Sequence, residues 1–381
     1  MSEASLISDV VIAGGGPVGL AAALALAGNG FGVTLLEARV EPVGGADPRP
    51  IALSHGSRLI LERLDAWRAI DATPITTVHV SHREQFGRTV MTAAQAGLPA
   101  LGYVAGYRML HDALDACVER AAIDVRKGWK AERARDAGEM IEIDAVHDGQ
   151  TVPLAARLLV VADGGGGLAR ASVREYHQAA VTARVATELP HRNRAFERFT
   201  PDGPLALLPF GSDMGLVWTS PPQMAREIGA LGETEFLGRL HQHFGDRLGT
   251  FTTAGPRAVF ALALRHAAAP AGARTVLIGN AAQALHPVAG QGFNLGLRDV
   301  RGLAHCLRRD TPDIGAPRML RAFAATRRAD RRHGIHFTDF LARVFVGERM
   351  VLPRAAGIAF SVLDCVPPVK NAFVRRAVFG V

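Results

Sequence analysis

The glycine-rich segment near the N-terminus constrains the fold more than any other feature of the chain. An apolar run at residues 10–13 predicts a buried strand, and residues 20–27 form a helix-favouring run that ends at a Gly-Asn-Gly turn. A second apolar run at residues 33–36 predicts another strand. A strand, a helix and a strand in so short a stretch predict a βαβ unit whose two strands run parallel.

The turn between the first strand and the helix carries the pattern G-x-G-x-x-G, made by Gly14, Gly16 and Gly19, with Pro17 inside it. In this pattern the first glycine permits a tight turn, the second lets backbone N–H groups approach a pyrophosphate, and the third allows close helix packing. The phosphates then lie at a helix N-terminus, which favours negative charge. Glu37 ends the second strand, where a carboxylate can accept hydrogen bonds from ribose hydroxyls. The segment therefore predicts a dinucleotide site.

Two later turns also follow buried strands. Asp163 comes directly after the apolar run 158–162, where its carboxylate can contact a ribose or a water that bridges phosphates, although an Asp-Gly pair alone favours a plain turn. Asn280 follows the apolar run 275–278, where its amide can bond the hydroxyls of a sugar chain. The sequence thus predicts polar groups after three separate strands.

The segment 279–296 is too long and too specific for an ordinary turn. Gly290 and Gly292 leave backbone N–H groups exposed just before a helix predicted to begin near Asn294. A helix N-terminus aimed at the pyrimidine edge of a flavin would stabilise negative charge on that ring. His286 is the candidate catalytic residue, as a polar contact near the ring, and simple packing within the loop explains it equally well.

The three motifs, in this order, resemble those of the flavoprotein aromatic hydroxylases that share the p-hydroxybenzoate hydroxylase fold. The finer likeness is to the ubiquinone-biosynthesis FAD-dependent hydroxylases, and it covers nearly the full chain. The segments that carry it are 49–53, 75–81, 194–200 with 203–206, and 279–300. The last two are specific to that group and are not general flavin motifs.

The resemblance implies FAD as the cofactor, NAD(P)H as the reductant and O2 as the oxidant. It also implies a cofactor-binding role for each matching position. The residues implied are Gly14, Gly16, Pro17, Gly19 and Glu37 for the ADP part, Arg49 and Arg108 near the pyrophosphate and ribityl chain, Asp163 and Asn280 for the sugar and phosphate region, and Pro287, Gly290, Gly292, Phe293 and Asn294 around the flavin ring.

The rest of the chain predicts a second sheet, because strand-like stretches recur within 75–92 and 180–265, with one helix near 233–244. Residues 56–70 predict a helix, and the chain beyond 316 is mainly helical. The expected fold is α/β (mixed α+β), with a Rossmann-like FAD-binding domain interrupted by a mixed β-sheet substrate domain and followed by C-terminal helices. The expected boundaries are 1–74, 104–177 and 268–340 for the FAD-binding domain, 75–103 and 178–267 for the substrate domain, and 341–381 for the C-terminal helical segment.

Composition limits the possible partners. The net charge is +7 and almost all of it is arginine, which fits either an arginine-rich codon usage or attraction to anionic cofactors and membranes. No helix sets this charge beside aromatic residues in a nucleic-acid pattern, so no nucleic acid is expected. The densest cluster, Arg327, Arg328, Arg331 and Arg332, predicts a solvated helix face.

The three cysteines form no CxxC pair and fit a reducing compartment, and no metal site is expected. Without a signal-peptide pattern, the expected location is the cytoplasm. The apolar segment within 337–363 and the mixed basic and apolar end at 373–381 fit either helices packed on the FAD-binding domain or a surface for a membrane or partner enzymes.

The expected function is hydroxylation of a polyprenylated phenol in ubiquinone biosynthesis, with 2-polyprenyl-6-methoxyphenol converted to the hydroquinone by a monooxygenase. Two alternatives stay open. One is a hydroxylase of the same class that acts on another ring position or another phenol. The other is a flavoprotein that supports a complex of ubiquinone-biosynthesis enzymes without turnover, against which the intact glycine motifs argue.

Overall fold

Three β-sheets and the helices that cover them make up the part of the chain that the structure, a computed structural model, describes: residues 5–41, 49–83, 88–168, 171–344 and 367–379. The helices are α1 (Pro17–Gly28), α2 (His55–Arg63), α3 (Ala93–Ala96), α4 (Tyr107–Arg120), α5 (Pro222–Ala230), α6 (Glu233–Phe244), α7 (Gln291–Cys306), α8 (Pro317–Val344) and α9 (Pro367–Phe379). Short 3-10 turns lie at Trp67–Ala69, Gly279–Ala281 and Val288–Gly290.

The strands follow the chain in an order that alternates between the sheets. They are β1 (Ser5–Ala13), β2 (Val33–Glu37), β3 (Pro50–Ser54), β4 (Thr73–Ile75), β5 (Thr77–His82), β6 (Arg88–Thr92), β7 (Gly102–Gly106), β8 (Asp124–Lys127), β9 (Lys130–Asp136), β10 (Ile141–His147), β11 (Gln150–Val161), β12 (Ser172–Thr187), β13 (Arg194–Thr200), β14 (Gly203–Phe210), β15 (Asp213–Ser220), β16 (Phe251–Ala254), β17 (Ala258–His266), β18 (Ala271–Gly272), β19 (Thr275–Leu277) and β20 (Gln283–Ala284).

The first sheet has a parallel centre with the order β19-β11-β1-β2-β8, and β9 and β10 continue it from β11 as antiparallel strands. Val10, Val11 and Ile12 on β1 are completely buried, because helices cover one face and β10 and its neighbours contribute to a second core on the other. Burial on both faces explains why the central strands are continuous apolar runs. The mixed α/β fold expected from the sequence is confirmed.

The second sheet has the order β20-β17-β12-β15-β14-β13-β5-β6, with β16 beside β12. Its pairs are antiparallel except for β13 with β5. Helices α5 and α6 cover one face, where Trp218, Phe236 and Phe244 form the core. The other face packs toward the small third sheet, since a side chain at Gly215 would collide with Pro50 of β3.

A small antiparallel sheet, β3-β7-β4, lies between the two larger sheets. Helix α9 packs beside it: Val374 and Val378 of α9 are buried against Met91 and Leu101. The C-terminal helix therefore closes one end of the space between the sheets.

Several local predictions need correction. The helix predicted over 56–70 begins at His55 and ends at Arg63. The prediction of one helix within 180–265 missed helix α5, which begins with Pro222, a residue that suits the first turn of a helix. Strand β12 crosses the predicted boundary at 177/178, and the division into domains stays a prediction. Of the C-terminal helical segment, the part at 345–366 lies outside the described residues.

Candidate FAD and substrate site

The carboxyl ends of four parallel strands meet at one edge of the first sheet. In the sheet register Ala13 lies opposite both Leu36 and Val161, and Val161 lies opposite Leu277. The residues that follow these strands are therefore brought together, although they come from distant parts of the sequence. In open α/β sheets this edge is where ligands bind. The three turns that the sequence singled out thus converge on one cleft.

The glycine turn packs as the G-x-G-x-x-G pattern requires. Gly14 has a φ of +115°, and a Cβ there would lie 2.5 Å from the carbonyl oxygen of Ala162. A Cβ on Gly19 would lie 1.9 Å from the carbonyl oxygen of Gly14, so only glycine lets α1 start so close to the turn. Gly16, by contrast, has no atom within 4 Å of its Cβ position and faces the cleft. Its backbone is open to a ligand.

Glu37 ties the glycine turn to the end of β2. Its carboxylate accepts hydrogen bonds from the backbone N–H of Gly15 at 2.8 Å and from the backbone and side chain of Arg39, each at 2.9 Å. Burial alone would raise the pKa of Glu37, but the hydrogen bonds and charge of Arg39, helped by Gly15, outweigh it and lower that pKa. Glu37 is therefore an anion at neutral pH and lines the cleft, as its predicted role requires.

A second helix N-terminus opens on the same cleft. Helix α7 starts after Gly290, and both Gly292 and Phe293 line the cleft. Gly290 adopts a left-handed conformation with a φ of +58°, in close contact with Ala52. Neither α1 nor α7 has an acidic residue in its first turn, so neither helix dipole is neutralised from within its own helix, and both positive ends face the cleft.

Asn294 holds the start of α7 in place rather than lining the cleft. Its side-chain oxygen accepts hydrogen bonds from the Ser54 backbone at 2.8 Å and from the Ser57 hydroxyl at 2.6 Å. Its amide nitrogen donates to the carbonyl oxygens of Ala52 and Gly290. The amide is buried and its oxygen and nitrogen each form two hydrogen bonds within the protein. We therefore expect it to position the loop that would border the flavin ring.

Three other predicted residues line the cleft. The Asp163 carboxylate accepts from the backbone N–H of Gly165 at 2.8 Å, so it shapes its own turn as well as facing the cleft. Asn280 is exposed on the cleft wall. The guanidinium of Arg49 lies over the ring of Tyr107 at 4.5 Å and over that of Phe260 at 5.3 Å, which links α4 to the second sheet.

Arg108 does not line this cleft. Its guanidinium pairs with Asp112 one turn along α4 at 3.4 Å, and both side chains are more than half exposed. The reason is helical phase: Tyr107, one residue earlier, is the residue of α4 that lines the cleft. The predicted role of Arg108 at the pyrophosphate remains a prediction without support from this geometry.

Trp129 and Lys130 line the cleft although the sequence did not mark them as site residues. Trp129 stacks on His147 with ring centroids 4.7 Å apart beside Glu37. The Trp129 backbone N–H donates to the Glu37 carbonyl oxygen at 3.0 Å. The long-range pairing of β8 with β2 brings this residue to the site, so no local pattern could have indicated it.

His286 is buried, and both of its ring nitrogens have partners. The Val288 backbone N–H donates to Nδ1 at 3.2 Å, and Nε2 lies 3.0 Å from the Gln178 side-chain oxygen, to which it donates. Burial lowers the pKa of His286 to about 4, so the ring is neutral at physiological pH. His286 also lines the cleft next to Pro287. We propose that His286 is a positioning residue, which links the loop before α7 to β12.

A buried ionic network supports the loop at 279–284. Asp299 is 1% exposed and accepts hydrogen bonds from the Gly279 backbone at 3.1 Å, from Gln283 at 2.8 Å and from Arg327 at 2.8 Å. Arg331 donates to Gln283 and to the carbonyl oxygen of Ala282. The prediction of a solvated arginine cluster is therefore wrong for Arg327 and Arg331, which fix the loop that carries Asn280.

The cleft has a volume of about 620 Å³, within the range typical of ligand sites. Its walls fit a dinucleotide with an anionic centre. Cβ positions at Gly16 and Gly292 are open, two helix N-termini face inward, and Arg39, Arg49 and Lys130 add positive charge. These residues match the chemistry of FAD, whose pyrophosphate needs backbone donors and whose reduced ring carries negative charge.

Comparison with known proteins identifies the family. Residues 8–337 match the family described as FAD binding domain. The chain is 33% identical to the ubiquinone hydroxylase UbiL of Rhodospirillum rubrum, over 98% of this chain and 90% of that protein. It is 32% identical to the 3-demethoxyubiquinol 3-hydroxylase of Escherichia coli, over 79% of each. The chain belongs to the FAD-dependent hydroxylases of ubiquinone biosynthesis.

The fold is similar to that of p-nitrophenol 4-monooxygenase PnpA from Pseudomonas putida, with a TM-score of 0.79 and 19% identity over 99% of both chains. The family assignment makes this chain a flavin-dependent monooxygenase whose cofactor is FAD. The family predicted from the sequence motifs is thus confirmed, as are the class of enzyme and its cofactor.

Proposed function

We propose that this enzyme hydroxylates the ring of a polyprenylated phenol, with 2-polyprenyl-6-methoxyphenol as its substrate and the hydroquinone as its product. The reaction consumes O2 and NAD(P)H and leaves the second oxygen atom as water. The observation that supports it most directly is the cleft with two inward helix N-termini, which lies beside the open face of the second sheet. The named activities of the two relatives support the choice of substrate class.

FAD, when bound, accepts a hydride from the nicotinamide and delivers one atom of O2 to the ring. The residues of this chain bind and orient it. In our proposal the start of α1 holds the pyrophosphate, Glu37 holds the ribose, and Asp163 and Asn280 face the sugar and phosphate region. Gly292 and Phe293 at the start of α7 would border the ring, where the helix dipole favours negative charge.

Glu37→Gln should weaken FAD binding by about 10- to 100-fold at pH 7.5, because a charge-assisted hydrogen bond contributes about 1.5–3 kcal/mol. The lowered pKa of Glu37 sets the pH dependence. The contribution of this carboxylate to FAD affinity is fully present above the ordinary carboxyl pKa. It is lost as the pH falls through the lowered pKa of Glu37. Fluorescence titration of FAD between pH 3 and 8 checks both effects, with Glu235→Gln, an exposed carboxyl on α6, as the control.

The direct test of the proposed function is turnover by the purified, FAD-loaded protein. We expect NADH or NADPH to be oxidised faster when 2-polyprenyl-6-methoxyphenol is present, with one hydroxylated product formed for each productive turnover. The position of the new hydroxyl in the product separates this proposal from a hydroxylase of another ring position. Yellow protein that oxidises neither nucleotide with any ubiquinone-precursor phenol would favour the non-catalytic alternative.

We propose in addition that the enzyme contacts a membrane surface or a partner of the same pathway at its C-terminal helix. Within the described residues no helix is both long enough and apolar enough to span a bilayer. On α9, Arg375 and Arg376 are exposed and Phe379 is 41% exposed, a basic and apolar combination that suits an anionic lipid surface. Failure to co-sediment with anionic liposomes at low salt would contradict the membrane proposal.

A further inference from the structure

The face of the second sheet that looks toward the FAD-binding side carries one unpaired acidic residue. In the sheet register Glu197 of β13 lies between Val80 of β5 and Ala206 of β14, and Ala206 lies opposite Val217 of β15. Residues directly opposite one another share a face. Ala195, two residues before Glu197, packs against Ile75 and other residues of the small sheet, so this face points toward β3, β4 and β7.

Solvent reaches part of this face. Val80, Glu197, Ala206 and Val217 each retain partial solvent exposure, and Val80 packs on one side against the cluster that includes Val374 of α9. The opposite face of the same strands is fully packed, with Leu205, Leu207 and Trp218 at 0% exposure. Ala206 and Val217 follow Glu197 across the sheet, so the carboxyl group lies beside an apolar surface. An apolar surface with one acid suits an aromatic ring with a hydroxyl group.

Glu197 has no partner that would explain it as a structural residue. It forms no hydrogen bond or ion pair with any residue in the described part of the chain. Its neighbour Arg198 points to the opposite face, where it donates to the His243 carbonyl oxygen at 2.9 Å. Glu197 is only partly exposed, and keeping an unpaired carboxylate partly out of water costs free energy, so such a group is usually retained where a ligand supplies the missing partner.

Further along the same face, two more polar atoms lack partners. Thr182 lies opposite Val217, and its hydroxyl is buried without a hydrogen bond, as is the amide nitrogen of Gln178. Glu197 and Thr182 are three strands apart, or about 14 Å at the usual strand spacing. These polar groups therefore lie on two sides of the apolar surface formed by Ala206 and Val217. Such an arrangement would orient a substituted ring.

We propose that Glu197 is a catalytic residue that accepts the proton of the substrate's phenolic hydroxyl, a role that rests on the proposed function. The O–H bond breaks, the proton moves to the Glu197 carboxylate, and the electron pair stays on the phenolic oxygen and spreads into the ring. The ring is then more nucleophilic at the carbon that takes up the oxygen atom. Once that carbon has lost its hydrogen as a proton, Glu197 returns its own proton to the product hydroxyl.

The acid strength of Glu197 fits this role. Burial raises its pKa to about 7, whereas a phenol has a pKa of about 10. A base that titrates near the working pH is both available and strong enough to assist proton transfer. His82 on β5 lies on the same face, and the helices α2 and α9 carry the buried groups His55 and Lys370; none of the three forms an ion pair with Glu197. The unprotonated form is required, so turnover should rise with pH through about 7.

The test compares FAD-loaded wild type with Glu197→Gln and with Glu227→Gln, an exposed glutamate on α5, as the matched control. The probe is 2-methoxy-6-prenylphenol, a phenol with one isoprene unit. Because the carboxyl group has the lower pKa, the bound phenol stays neutral until it reacts, and the readout is the pH dependence of turnover. Glu197→Gln should lose about 100- to 1,000-fold in kcat with a nearly unchanged KM, and should lose the rise in kcat/KM near pH 7.

The outcomes separate this inference from the proposed function. Turnover by Glu197→Gln equal to wild type, with the same pH profile, would overturn the role of Glu197 and leave the hydroxylase proposal standing. If wild type does not convert the phenol, the proposed function fails and the role of Glu197 fails with it. Glu197→Asp keeps a carboxyl group and should retain the rise in kcat/KM with pH, with reduced turnover.

Discussion

Gly16→Ala should abolish FAD binding while the protein stays folded. The backbone at Gly16 has φ −70° and ψ 170°, which alanine adopts without strain, and no protein atom lies within 4 Å of the added Cβ. The methyl group instead projects into the cleft at the start of α1, where we place the pyrophosphate. We expect affinity for FAD to fall at least 100-fold in a titration of the apoprotein, with a loss of folding stability of about 1 kcal/mol from the weaker N-cap.

Gly28→Ala is the matched control, because Gly28 lies at the opposite end of the same helix and also has open space around its Cβ position. Alanine there should leave FAD affinity unchanged and should favour the helix slightly. Gly19→Ala makes the converse comparison, since its Cβ would clash with the Gly14 carbonyl and should disturb both folding and binding. Wild-type FAD affinity in Gly16→Ala would contradict our placement of the pyrophosphate.

Asp299→Asn should destabilise the protein by about 3–5 kcal/mol, because it removes the counter-charge of a buried arginine. Arg327 is 6% exposed and donates to Asp299, so the substitution leaves its charge only partly compensated by Asp330. The same change weakens the bonds to Gly279 and Gln283, so the loop that carries Asn280 should loosen. We expect the Tm to fall by about 4–6 °C and FAD affinity to fall about tenfold.

Asp310→Asn provides the comparison, because Asp310 pairs with Arg308 at 3.7 Å and both side chains are at least 75% exposed. Its loss should cost about 1 kcal/mol or less, as for most exposed ion pairs. The double variant Asp299→Leu with Arg327→Met removes both charges and should be more stable than Asp299→Asn alone. Equal Tm values for Asp299→Asn and wild type would show that the buried network does not hold the loop.

The cofactor-binding turns could be predicted because their signals are local. Gly14, Gly16 and Gly19 follow an apolar strand directly, and Glu37 ends the next strand, so chain order alone places them together. The same holds for Asp163 and Asn280 once their strands are recognised as parallel neighbours. The turns can be recognised without knowledge of long-range packing, because each of them has its own sequence pattern.

The remaining site residues depend on contacts that no local pattern reveals. Arg327 and Arg331 have the spacing of a solvated helix face, and only the packing of α8 on α7 turns them inward toward Asp299. Trp129 reaches the cleft through the pairing of distant strands. Glu197 lies in segment 194–200, whose sequence resembles the family. Its proposed catalytic role could be inferred only from the strand register, which places it on the face that looks toward the FAD-binding side.

The central claim is that this chain transfers one atom of O2 to the ring of a phenol, and isotope labelling tests it most directly. The FAD-loaded protein would be supplied with NADPH, 2-polyprenyl-6-methoxyphenol and 18O2, and the product would be analysed by mass spectrometry. We predict a product heavier than the substrate by one oxygen atom that carries the label from O2, and an unlabelled product when 18O is supplied only in water. A hydroxylated product labelled from water, or NADPH oxidation with no hydroxylated product, would contradict it.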